Sequence, residues 1–174
     1  MKLSYILSQV FAIFATITLS ASYLVKDKKS ILFLCIVTAI FFGVEYFLLG
    51  AYTGVAMDVV SIVSNIWFYL NEKNNKKNKI EVLIILLGLM LILSIFTYTN
   101  IFSFVSMMAT MLFTYSVWQD STKLYKILAI PTCILWIMYN AYYKSIVGIT
   151  IQIVLLVFAI IGIVKYQKNV EKKI

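Results

Sequence analysis

The 174-residue sequence contains no histidine and no arginine, one proline, two cysteines and seven acidic residues. Without histidine the commonest metal ligand and general base is missing, so catalysis starts without its usual means. One proline and six glycines exclude collagen-like and disordered classes. Cys35 and Cys133 each fall inside an apolar run without a CxxC spacing, which points to buried filler rather than a disulfide framework or a metal site. No nucleophile stands beside a base and no ligand cluster is apparent. The expectation is therefore no enzyme, no cofactor and no metal.

What is present in excess is apolar surface. Apolar residues make up 63% of the chain, aromatic ones 16% and charged ones 13%, against about 25% charged in a soluble domain. A mean hydropathy of +0.97 agrees. The formal charge of +8 comes from fifteen lysines gathered in short clusters between apolar runs. No basic stripe with interleaved aromatics occurs, so nucleic acid is not an expected partner. The lipid bilayer and a small-molecule solute are, and a homo-oligomer is left open.

A hydrocarbon core about 30 Å thick takes about 20 residues of helix. Seven such spans are expected, at 3–25, 30–49, 52–70, 80–98, 100–118, 124–143 and 145–164. Short connectors make sequential helices antiparallel. Thirteen lysines (26, 28, 29, 73, 76, 77, 79, 123, 126, 165, 168, 172 and 173) then share one side, and only Lys2 and Lys144 the other. The positive-inside rule puts the larger set in the cytoplasm, the amino terminus outside and the carboxyl terminus inside. Lys2, the run after it and Ser20-Ala21-Ser22 imitate a cleaved signal peptide, but the run exceeds the usual 7 to 15 apolar residues.

Sliding the chain on itself gives a register at an offset of 94, with Ala15 on Ala109, Thr16 on Thr110, Lys29 on Lys123, Thr38 on Thr132, Ile40 on Ile134, Gly54 on Gly148, Val60 on Val154 and Ile66 on Ile160. Within one transmembrane domain, 1–174, the expected parts are a first three-helix repeat over 1–73, a linker loop and helix over 74–98, and a second repeat over 99–174. Four crossings separate the copies, so the repeats are parallel and a solute path would lie between them.

Polar residues deep in a bilayer are costly, about 2.5–3.5 kcal/mol for a charge, and usually face a cavity or a partner. Asp58 with Ser61, Ser64 and Asn65 forms one face of the third span, and Glu45 with Thr38 and Phe42 one face of the second. Thr132, Trp136, Tyr139 and Asn140 on span six and Gln152 on span seven repeat that geometry without charge. Ser61, Ser64 and Thr132 read as interhelical glue. Asp58 has no lysine in its span and reads as functional, whereas Glu45 is either a site residue or a side chain snorkelling outward. Trp67, Trp118 and Tyr142 near span ends fit an aromatic belt. Trp136, near mid-membrane, fits a ring facing a cavity. Pro131 frees one carbonyl of span six and is the expected hinge.

From Leu135 to Gln152 the segment LWIMYNAYYKSIVGITIQ resembles the SWEET and SemiSWEET sugar-transporter superfamily, with Trp136 and Gln152 at the spacing of that superfamily's Trp and polar residue. Phe42 and Asp58 occupy the equivalent pair in the first half. GVEYFLLGAYTG (Gly43 to Gly54) with WIMYNAYYKSIVG (Trp136 to Gly148) resembles the YgjV family of bacterial inner-membrane proteins over nearly the whole chain. The resemblance implies an all-α membrane protein in a three-plus-one-plus-three arrangement, located in the bacterial inner membrane. It also implies transport by alternating access. The chain departs from the SWEET pattern in having Gln152 and Asp58 for Asn, Phe42 for one Trp, and a lone Pro131.

The expected function is a small-solute transporter. Phe42, Asp58, Trp136, Gln152, Tyr139 and Asn140 are its substrate-binding residues, and Asp58 and Glu45 its proton-coupling ones. The alternatives are a carrier of a nucleoside-like vitamin or an amino acid, and a non-transport receptor or assembly protein.

Overall fold

The structure, a computed structural model, describes residues 2–25 and 27–171, with residues 2, 23, 24, 122, 123, 126 and 162–171 described by their backbone alone. Lys26, Lys172 and Lys173 of the lysine-rich side lie outside the described residues. Seven helices account for almost all of the rest: α1 (Lys2–Leu24), α2 (Lys28–Leu49), α3 (Tyr52–Lys73), α4 (Ile80–Phe96), α5 (Ile101–Trp118), α6 (Thr122–Tyr142) and α7 (Ile146–Glu171). Four of them, α1, α2, α3 and α5, are long and apolar enough to cross a membrane, and the others carry shorter apolar stretches.

Local chemistry sets the ends. Asp27 caps α2 by accepting from Ser30 N at 2.8 Å, Asn100 caps α5 through Phe102 N at 2.9 Å, and Ser121 caps α6. Gly50 closes α2 in the left-handed region, φ 72°. The span expected to reach residue 98 ends at Phe96 instead. There the Thr97 hydroxyl folds back onto Leu93 O at 2.8 Å, and Thr53 of α3 takes the Thr97 carbonyl at 2.6 Å, so the last turn is satisfied without another helical residue. Helix α7 continues past 164 to Glu171.

Six helices form a ring in the order α1, α2, α3, α5, α6, α7, closed by contact between α7 and α1. Helix α4 stands against α3 and α5 from outside, turning Leu83, Leu86, Met90 and Ser94 inward. Its other faces are apolar and exposed, as at Phe96, 82% accessible. Large exposed Leu, Ile, Phe and Val side chains cover the outer surface of the other helices too. A soluble monomer rarely shows such continuous apolar surface, and a bilayer requires it. Lipid is as apolar as leucine, so van der Waals packing and interhelical hydrogen bonds hold the ring together. Ala12 and Ala15, fully buried, give α1 a small face for that packing.

Candidate functional site

Helices α2, α3, α6 and α7 each turn a polar or aromatic face toward the middle of the ring. These faces, with parts of α1 and α5, enclose a cavity of about 70 Å³. On the scale where one water takes about 10–15 Å³, that holds several. Phe42 of α2, Asp58 of α3, Trp136 of α6 and Gln152 of α7 all line it. Thr38, Ser61, Asn65, Thr110 and Thr132 add polar groups, and Cys35 and Cys133 line it as well. Four of the six residues expected at a substrate thus share one space. Toward the lysine-rich end the cavity shares Ser116 and Tyr125 with a second depression of about 110 Å³, which Lys28 and Asp120 border.

Asp58 is 7% exposed and packs against Gly43, where a Cβ would stand 3.6 Å from its own. Its Oδ2 has no hydrogen-bond partner among the described residues, nor has either amide atom of Asn65, 1% exposed. Buried polar atoms are nearly always paired, so each such atom calls for an explanation. Trp136 stacks on Tyr46 at 5.7 Å between ring centroids, and Tyr46 on Phe42 at 6.0 Å, making an aromatic wall.

Tyr139 and Asn140 lie outside the lining, one turn further along α6. With Tyr46, Glu45, Ala51, Thr53 and Ser145 they form a fully buried layer on the side of the cavity away from the lysine-rich end. The Tyr46 hydroxyl donates to Asn140 Oδ1 at 2.9 Å. Gly54 N donates to the Tyr139 hydroxyl at 2.8 Å, and that hydroxyl donates to Ala51 O at 3.3 Å. Glu45, read above as either a site residue or a snorkelling one, is buried and accepts from the Ser145 hydroxyl. Both glycines of this layer are required by space. A Cβ on Gly54 would come within 2.8 Å of Tyr139 Oη and Tyr46 Cδ2, and one on Gly148 within 2.9 Å of Asn140 Cγ.

These contacts recur at the offset of 94. Glu45 of α2 reaches Ser145 at the start of α7, and the equivalent Tyr139 of α6 reaches Ala51 at the start of α3. Gln9 of α1 accepts from Val147 N at 3.1 Å, while the equivalent Ser103 of α5 accepts from the hydroxyl of the equivalent Thr53 at 3.0 Å. The outer turns match in backbone as well: Gly50 and Lys144 both have positive φ, 72° and 58°, and Ala51 N and Ser145 N bond Tyr46 O and Asn140 O at 2.8 and 2.9 Å.

Residues 6–170 match the family model Imp-YgjV, described as bacterial inner membrane protein. The chain belongs to that family. Its location follows: it is a bacterial inner-membrane protein with transmembrane helices. No curated protein and no solved structure matches the chain.

The sequence marked the cavity lining more plainly than the buried layer. Pro131 sits within an uninterrupted α6 and does not line the cavity. Ser145, Gln9 and Ala51 gave no signal, since their roles come from ring closure between distant helices. Asn65 was legible by its spacing from Asp58.

Proposed function

We propose that this protein is a small-solute transporter of the inner membrane, working by alternating access, and not an enzyme. Phe42, Asp58, Trp136 and Gln152 line its solute site. The observation that carries the reading is that two residue pairs, Phe42 with Asp58 and Trp136 with Gln152, repeat at an offset of 94 and face one cavity.

The wider arrangement in this proposal is a SWEET-like three-plus-one-plus-three fold of parallel repeats, with α4 as the linker helix. Three observations support it: the ring order, the external position of α4, and the contacts that recur at the same offset. In this reading the lysine-rich face is cytoplasmic, the amino terminus outside and the carboxyl terminus inside. The buried layer of Tyr46, Tyr139 and Asn140 is then the closed outer gate, and these residues meet the solute as the gate moves. Pro131 serves as the hinge within α6. Asp58 carries a coupling proton when no solute occupies the site, with Glu45 as the second site for it.

Uptake of labelled hexoses, nucleosides and amino acids into proteoliposomes tests the proposal. A solute taken up by the wild type and lost with both Asp58→Asn and Trp136→Ala supports it. Uptake unchanged in both variants removes this site, and uptake of none of these classes excludes those classes as its solutes.

A further inference from the structure

If the cavity is a solute site, as proposed above, its lining also restricts the chemistry of the solute. Asp58 is the charged side chain of that lining, and no lysine borders the cavity among the described residues. Glu45, fully buried on the neighbouring helix, adds a second acidic group and no cation. Lys28, at the lysine-rich end, is already engaged by Asp120 at 2.5 Å and by Glu72 at 3.9 Å. A buried carboxylate without a counter-charge is unfavourable by several kcal/mol in order of magnitude. An anionic solute would worsen this. A neutral polyol can donate hydroxyls to the carboxylate but leaves its charge uncompensated.

Asn65 adds a second requirement. It lies seven residues beyond Asp58 on the same face of α3, about 10 Å along the axis. Both of its amide atoms are unpartnered among the described residues. A proton on Asp58 relieves that charge but does nothing for Asn65. A solute carrying a hydroxyl or amide at its far end satisfies it. The aromatic wall of Phe42, Tyr46 and Trp136 supplies the third feature, since aromatic faces attract organic cations and stack on flat rings. Among the described residues no group of three or more acidic, cysteine or histidine side chains stands together to hold a bare metal ion.

We infer that the site takes an organic cation, its ammonium group against Asp58 beside the aromatic wall and a hydroxyl or amide group reaching Asn65.

The test uses three probes on one scaffold that differ in the charge of the terminal group: tyramine (cation), tyrosol (neutral) and hydroxyphenylacetate (anion). Each is titrated onto the purified full-length protein, and binding is read as protection of Cys35 and Cys133 from alkylation. Tyramine is expected to bind at least about tenfold more tightly than tyrosol, a difference of about 1.4 kcal/mol, and hydroxyphenylacetate not at all. Asp58→Asn should bring tyramine down to the level of tyrosol, Asp58→Glu should keep the preference, and Asn65→Leu should weaken tyramine and tyrosol alike. Thermal unfolding of each variant establishes that it is folded.

Tyrosol equal to tyramine in the wild type, or a tyramine preference that survives Asp58→Asn, overturns the inference. The two readings fail differently. If tyrosol protects the cysteines and Trp136→Ala abolishes that protection, the solute site stands and only the cation assignment falls. If none of the three probes protects, the cation assignment and the solute site fall together.

Discussion

Tyr46 and Asn140, 94 residues apart, hydrogen-bond to each other at 2.9 Å in the buried layer beside the cavity. In the proposed repeat these are equivalent positions, and their contact falls between the two halves. The contacts around them exchange partners in the same way, Glu45 with Ser145 and Tyr139 with Ala51.

Removing that hydroxyl should cost more than one ordinary hydrogen bond. Asn140 Nδ2 already has no partner among the described residues, and Tyr46→Phe leaves Oδ1 unpaired as well. The expected loss is about 1–3 kcal/mol, seen as a fall of several degrees in the unfolding midpoint in detergent. Adding Asn140→Leu should recover part of it, because neither polar partner then remains. A midpoint unchanged by Tyr46→Phe would contradict the role given to this pair.

The glycines of the layer make a separate prediction. Gly54→Ala and Gly148→Ala each drive a methyl into neighbours already in contact, with an expected cost of about 1–3 kcal/mol in thermal unfolding. Gly88, in α4, has open space around it. Gly88→Ala should raise stability by up to about 1 kcal/mol through helix propensity. Equal effects at all three positions would show that the tight approach at Gly54 and Gly148 is unimportant.

Acid should weaken the start of α2. The Ser30 backbone N–H and hydroxyl hold the exposed Asp27 carboxyl below its ordinary value of 3.8. A folded-state value below the unfolded one means that the cap stabilises the protein above the ordinary value, and that this contribution is lost as pH falls through and below it. Asn caps without titrating. Unfolding followed between neutral pH and pH 3 should therefore show less acid sensitivity in Asp27→Asn than in the wild type. Identical pH profiles would rule out this contribution.

Seven helices were legible in the sequence because long apolar runs and lysine clusters mark helices and turns directly; their ends moved by at most three residues, except that α7 runs seven residues further. The cavity residues were legible as well, since Asp58, Trp136 and Gln152 are costly or unusual at mid-span. The buried layer was harder to read. Spacing alone puts Tyr139 and Asn140 on the same face as Trp136, but one turn is about 5.4 Å of rise, enough to carry them out of the lining. Glu45 could be told from a snorkelling side chain only once Ser145, a hundred residues away, was seen to donate to it.

In the transport proposal the cavity is reached from the lysine-rich face and closed from the other. Cys35 and Cys133, the chain's two cysteines, both line it and report on it without engineering. The measurement is alkylation by a small, charged, membrane-impermeant thiol reagent in inside-out and right-side-out vesicles. The account predicts faster labelling in inside-out vesicles than in right-side-out ones; equal rates from both faces, or no labelling from either, would contradict it.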